Sequence, residues 1–250
     1  MLSDEFWNSF MKIAVTTACA SMLDKAKELA KQLALPLVED GSYSLLLVVT
    51  PERLELREGN VKRSRPISVD FSAPRCGRQL IAKAVGIKGG FRPRVLDTTA
   101  GLGVDAFALA SLGCQVLMLE RSPIVGALLA DGLQRSQQTT IQIALCVAEA
   151  VTYIKEIMVN KASRPDVIYL DPMYPSRQKS AVGKKTMRIL REIVGEDNDV
   201  IEVFKLALQC ATKRVVVKRL RTAPELGAVP DLKYSARGSC RYDVYFPRTP

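Results

Sequence analysis

The sequence predicts an α/β protein: a mostly parallel, doubly wound sheet with a C-terminal hairpin, preceded by a small N-terminal α/β appendage. Three observations carry this. From residue 94 onward, short apolar runs alternate strictly with stretches of helical periodicity, and short links favour parallel strands covered on both faces. The first of these runs ends in a glycine turn, Asp97-Thr98-Thr99-Ala100-Gly101-Leu102-Gly103, that opens a helix. The 250 residues suffice for one large domain and a small addition.

Residues 1–65 read as the appendage and 66–250 as the main domain. In the appendage, Met22 to Leu35 places apolar residues at helical spacing with Lys25, Lys27 and Lys31 outward. Ser44 to Val49 suits a buried strand, Thr50-Pro51-Glu52 a turn, and Arg53 to Arg57 a half-exposed strand. Val61 to Pro66 is a basic link, and Gln79 to Val85 a helical segment stopped by Gly86 and Gly89-Gly90. In the main domain strands are predicted at 94–97, 115–120, 142–147, 166–170 and 213–218. Helices are predicted at 103–112, 123–135, 149–159 and 199–210, with a helical stretch at 184–194. Tyr234 and Arg241 to Phe246 read as the hairpin.

Composition removes several kinds of function. No run of about 20 uncharged apolar residues exists, so no membrane-spanning helix is predicted. Six cysteines are scattered without C-x-x-C spacing and there is no histidine, so neither a metal site nor a disulfide framework is expected, and a reduced cytoplasm is the expected location. Without histidine there is no Ser-His or Cys-His catalysis. Any proton acceptor must be a carboxylate, a backbone carbonyl or water. Charge is uneven: from Met173 onward 16 Lys and Arg face 8 Asp and Glu, a net +8 of the chain's +10. Such a basic part points to a polyanionic partner.

In a doubly wound sheet, ligands bind beyond the carboxyl ends of the strands. Gly101 and Gly103 let a ligand lie against the backbone, the helix that follows offers free N–H groups, and Glu120 at the end of the next strand can accept two ribose hydroxyls. The arrangement holds a nucleoside-containing cofactor. Gly101, Gly103 and Ala106 also satisfy the dinucleotide pattern, which keeps an NAD-dependent oxidoreductase as an alternative. Asp97 and Asp105 argue against it, because two carboxylates repel a pyrophosphate and suit the ammonium and sulfonium of S-adenosylmethionine.

The predicted strand at 166–170 ends in Asp171-Pro172-Met173-Tyr174-Pro175. An exocyclic amine on a base is a poor nucleophile because its lone pair is spread into the ring. A carboxylate and a backbone carbonyl can accept its two hydrogens, stiff prolines hold both acceptors together, and an aromatic ring stacks on the base. Asp171, Pro172 and Tyr174 are therefore the candidate catalytic residues. This pattern alone does not choose the base, so an adenine or cytosine amino-methyltransferase on DNA or RNA stays open. Asp171 and Tyr174 argue against a binding protein without chemistry.

These motifs resemble the RsmJ family of bacterial small-subunit ribosomal RNA methyltransferases. The resemblance rests on Asp97 to Phe107, Met118-Leu119-Glu120-Arg121, Tyr169 to Pro175 with Gln178 to Ala181, and Ala211 to Arg219. It extends to Thr50 to Leu56 and Ala84 to Gly89. It implies a Rossmann-like class-I methyltransferase fold and transfer of methyl from S-adenosylmethionine to N2 of a guanosine in 16S rRNA, on the rRNA or the 30S subunit. The family's cofactor positions fall on Val104-Asp105, Glu120-Arg121, Glu149-Ala150 and Asp171, beside Asp97, Gly101 and Gly103. Val104 stands where the family often has arginine and can offer only backbone. Glu149 either meets the adenine amino group or simply starts its helix. Lys179, Lys184, Lys185, Arg188, Lys213, Arg214, Lys218, Arg219 and Arg221 are candidate phosphate contacts, with Lys218 and Arg219 foremost.

Overall fold

The computed structural model describes residues 13–39, 43–59, 61, 65–71, 78–136, 141–160, 163–172, 181–195, 197–235 and 240–247, with backbone alone for 78 and 181–185. In chain order the elements begin β1 (Ile13–Thr17), α1 (Leu23–Leu33), β2 (Leu45–Val49), β3 (Leu54–Glu58), α2 (Arg78–Val85), β4 (Arg94–Asp97), α3 (Val104–Ser111), β5 (Gln115–Glu120) and α4 (Pro123–Ser136). They continue with β6 (Ile143–Val147), α5 (Ala150–Val159), β7 (Val167–Leu170), α6 (Ala181–Val194), α7 (Val200–Cys210), β8 (Arg214–Leu220), β9 (Leu232–Ser235) and β10 (Cys240–Tyr245).

Contacts divide these residues into two compact units. The first gathers the described residues of Met1–Asp70, Pro123–Gln137 and Lys179–Gly195. Its sheet runs β1-β2-β3, with β1 parallel and β3 antiparallel to the central β2. Five consecutive apolar residues make β2 buried throughout. Helix α1 packs on β1, and α4 packs on β3 and α6. The sequence reading assigned no strand to Ile13–Thr17. Its apolar part is only Ile13-Ala14-Val15, and the strand exists through parallel pairing with β2, from Ile13 against Leu45 to Thr17 against Val49.

The turn between β2 and β3 is held by one hydroxyl. Thr50 Oγ1 donates to the Arg53 carbonyl at 2.9 Å and accepts from the N–H groups of Glu52 and Arg53 at 3.2 and 3.0 Å. Thr50→Val keeps the shape and removes these bonds, so it is expected to cost about 1 kcal/mol, read as a lower urea midpoint.

The second unit comprises Phe71–Ser122, Gln138–Gln178 and Glu196–Pro250. Its seven-stranded sheet runs β6-β5-β4-β7-β8-β10-β9. Strands β4 to β8 pair in parallel, while β10 and β9 are antiparallel additions and form the expected hairpin. Leu96, Leu119, Ile154, Ile168, Phe204, Val215 and Val217 lie in one core between sheet and helices. The order in which strands are added reverses at β4, which has β5 on one side and β7 on the other, and a crevice opens at such a point. Backbone bonds close the strand ends around it: Thr98 donates to the Tyr169 carbonyl through N at 3.0 Å and through Oγ1 at 3.1 Å.

Candidate functional site

The turn after β4 is shaped by two glycines. Gly101 (φ +53°) and Gly103 (φ +72°) take left-handed conformations that side chains resist, and Gly103 caps α3. Glu120, at the end of β5 and 5% exposed, braces this turn. Its Oε2 accepts the Gly101 N–H at 3.0 Å and its Oε1 the Ser122 N–H at 2.9 Å. Burial pushes its carboxyl up to about 7, against the pull of those two N–H groups. Each oxygen keeps a further lone pair, so Glu120 can brace the turn and still accept hydroxyls.

Across the crevice a lysine joins two carboxylates. Lys218 Nζ donates to Asp105 Oδ2 and to Asp171 Oδ2, each at 2.7 Å. Tyr169, fully buried, donates its hydroxyl to the same Asp105 oxygen at 2.6 Å. The backbone N–H of Asp171 is anchored separately, on Thr99 Oγ1 at 2.6 Å. Burial raises the Asp171 carboxyl, and the Lys218 ammonium opposes that rise. Burial alone would lower Lys218, but Asp171 and Asp105 outweigh it and hold the ammonium protonated above its ordinary value. Asp97, buried at the end of β4, accepts the Thr99 N–H at 3.1 Å, and its carboxyl is pushed up to about 8 by burial, with the charges of Asp105 and Asp171 adding to the rise. The crevice thus offers acceptors to a cation, and a backbone cradle with a ribose acceptor beside it. Those features fit a nucleoside that carries a positive group.

Several residues expected from the sequence have other occupations. Lys218 and Arg219 were read as phosphate contacts at a strand end. Pairing with β10 extends β8 to Leu220, so both lie inside the strand, opposite Tyr242 and Arg241. Lys218 is 25% exposed and held by the carboxylates of the crevice. Arg219 is 4% exposed and donates to the Pro224 carbonyl. Neither faces outward for RNA. Arg121 pairs with Asp197 at 2.7 Å and Asp199 at 3.4 Å, bracing the segment before α7. Arg188 pairs with Glu58 and Glu192 at 2.6 and 2.7 Å.

Val104 begins α3 and is 42% exposed. Glu149 caps α5 through its backbone without a side-chain bond and is exposed, while Ala150 is buried. Both follow the Ala148 N–H, which donates to the Glu120 carbonyl at 3.1 Å. Pro172 is buried next to Asp171. Tyr174 and Lys179 lie outside the described residues, as do the side chains of Lys184 and Lys185.

Sequence reasoning missed Thr99, Tyr169 and the inward role of Lys218. One signal was present. Tyr169 on β7 and Asp171 just past its end are two apart, the spacing that puts side chains on one face of an extended chain. Once β7 and β8 are neighbours, the register from Leu170 against Val217 continues to Asp171 beside Lys218.

A family model described as "Putative SAM-dependent methyltransferase" matches residues 28–247. The ribosomal RNA small subunit methyltransferase J of Coxiella burnetii (strain RSA 331 / Henzerling II) is 46% identical over 249 residues, covering 93% of this chain and 96% of that protein. The protein of the same name from Serratia proteamaculans (strain 568) is 47% identical over 224 residues, covering 84% and 90%. Among solved structures, a SAM-dependent methyltransferase from Neisseria gonorrhoeae is similar at a TM-score of 0.71 and 32% identity, covering 94% of this chain and 96% of that one.

Proposed function

We propose, because this chain belongs to the family of ribosomal RNA small subunit methyltransferase J, that it transfers a methyl group from S-adenosylmethionine to the exocyclic N2 of a guanosine in 16S rRNA. The substrate is the rRNA itself or the 30S subunit, and the protein works in the cytoplasm where that RNA is assembled. The observation that carries the reading is Asp171: it follows the strand next to the glycine turn, and Lys218 and Thr99 fix its side chain and backbone separately.

S-adenosylmethionine, when bound, supplies an electrophilic methyl carbon on a sulfonium. The turn at Gly101 and Gly103 would receive its nucleoside part, Glu120 its ribose hydroxyls, and the carboxylates of the crevice its positive charge. Asp171 has Oδ2 committed to Lys218, which leaves Oδ1 to accept a hydrogen of the guanine amine. That bond draws the nitrogen toward a tetrahedral shape and strengthens as positive charge develops there. The spare proton of the methylated amine then passes to Asp171 or to water. Tyr174 is the ring we place against the base, which must be unpaired or flipped to reach it.

Single-turnover methylation of 30S subunits and of naked 16S rRNA, with digestion to nucleosides and mass spectrometry, tests the reading. N2-methylguanosine is the expected product. N6-methyladenosine would overturn the choice of base, and no transfer to either substrate would overturn the choice of RNA. Glu120→Ala is expected to weaken S-adenosylhomocysteine binding by about 1–3 kcal/mol, measured by calorimetry with NAD as the control that does not bind. Donor binding is proton-linked: Glu120 and Asp97 shed protons at about 7 and about 8, so affinity for the cationic donor should rise through that window.

A further inference from the structure

We propose that the edge of the second unit opposite the crevice is a second contact surface for RNA, built from Lys88, Arg92, Lys213 and Arg214 around the rings of Phe91 and Phe246. The proposal rests on the reading of RNA as substrate. Strands β4, β7 and β8 are parallel neighbours, so all their carboxyl ends lie on one edge and all their amino ends on the other. The first edge carries Asp97, Asp171 and Lys218. The second carries Arg214 at the start of β8, with Lys213 just before it and Arg92 two residues before β4. Lys213 and Lys218 are five residues apart along an extended segment, or about 17 Å. An RNA held in the crevice must therefore run past its target base to reach this edge, which an rRNA does.

Two features make this edge more than a solvated basic face. The first is uncompensated charge. Arg92 Nε donates to the Leu112 carbonyl at 2.7 Å, and Arg214 Nη1 to the carbonyls of Ala84 and Lys83 at 3.1 and 3.3 Å. Carbonyls orient a guanidinium without cancelling its charge. Among the described residues none of the four cations pairs with a carboxylate. Asp166 and Asp231 also lie on this edge and keep their charge, but each is turned to a backbone N–H, of Arg94 at 2.9 Å and of Phe246 at 2.8 Å, and neither pairs with the four cations.

The second feature is a pair of exposed aromatic rings, each attended by a cation. Lys213 Nζ stands 4.6 Å from the centre of the Phe91 ring, and the Arg214 guanidinium 5.5 Å from that of Phe246. Both rings are 40% exposed. Phe91 closes a tight turn on Lys88, its N–H donating to the Lys88 carbonyl at 2.9 Å. Between them Gly89 and Gly90 take φ +54° and +84°, with no atom beyond their chain neighbours within 4 Å of where a Cβ would stand, so a phosphate can reach that backbone. Cations free of carboxylate partners, interleaved with rings on which unpaired bases stack, are the features that bind single-stranded RNA.

The test uses Lys88→Ala with Lys213→Ala, two side chains without hydrogen bonds among the described residues, and separately Phe91→Ala. Binding to full-length 16S rRNA is measured across a salt series, and S-adenosylhomocysteine affinity by calorimetry. The double variant should bind rRNA about tenfold more weakly near physiological salt and lose roughly 1.5 units of slope in log K against log salt, with cofactor affinity unchanged. Phe91→Ala should weaken binding at every salt concentration and leave the slope intact. Wild-type affinity and slope in all variants would overturn the proposal, and would leave this edge to an acidic protein partner. If instead the wild type neither binds nor methylates 16S rRNA, the reading of the substrate falls first.

Discussion

Asp171→Asn is expected to slow methyl transfer on the order of 100-fold in single turnover, with little change in S-adenosylhomocysteine affinity. The substitution keeps size and one acceptor and removes the negative charge. In the ground state the guanine amine is neutral, and an amide oxygen accepts its hydrogen almost as well. In the transition state the nitrogen becomes positive, and only a carboxylate gains from that change. Interactions that tighten in the transition state raise the rate constant and not ground-state affinity. The backbone anchor on Thr99 survives the change, whereas the bond to Lys218 is given up when the single amide oxygen turns to the guanine amine. Transfer at the wild-type rate would remove Asp171 from the catalytic role. A large loss of cofactor affinity with an unchanged transfer rate would make it a binding residue instead.

The difference between Asp171 and Lys218 shows what a linear sequence carries. The place of Asp171 in the crevice was legible because a motif, a strand end and the carboxyl edge of the sheet all coincided on one residue. The glycine turn and Glu120 were legible for the same reason, since the chemistry of each is local and its position follows from the alternation of elements. Lys218 and Arg219 were misplaced because two adjacent cations look alike in sequence, whereas successive strand residues face opposite sides of a sheet. One was drawn to the carboxylates of the crevice and the other to the Pro224 carbonyl. The length of β8 was also misjudged, because its last two residues are held by β10, which arrives from about 20 positions further along. The fate of that segment is decided by Arg241, buried and paired with both oxygens of Asp243 at 2.8 and 2.9 Å. Its Nη1 gathers the carbonyls of Leu220, Arg221 and Ala223 at 3.2, 2.7 and 2.9 Å. No periodicity announces such a residue; it is recognisable only once the loop it gathers is in place. β1 escaped for a related reason, as a strand that exists by virtue of its partner β2.

Lys218→Met should slow methyl transfer about 10- to 100-fold at neutral pH, since two charge-assisted hydrogen bonds are lost from a crevice that remains acidic. Size alone cannot separate a positioning role from general damage, but pH dependence can. In the wild type, burial raises the Asp171 carboxyl and Lys218 pulls it back. Without the ammonium, burial and the charge of Asp105 act unopposed, so Asp171 takes up a proton at higher pH. With donor saturating, so that its proton-linked binding does not enter, transfer by Lys218→Met should therefore be weakest on the acid side and recover as pH rises through the new value, where the wild type is flat. Lys218→Arg keeps the charge and the donors, and should restore most of the flat profile. Loss of fold does not imitate this pattern. The raised value of Lys218 means that its contribution to stability is fully present below 10.5, its unfolded value, and is lost only as pH rises through the folded one. The neutral window is free of that transition. A Lys218→Met enzyme slowed equally at every pH, with no rescue by arginine, would show that the lysine fills space and that Asp171 is oriented by Thr99 alone.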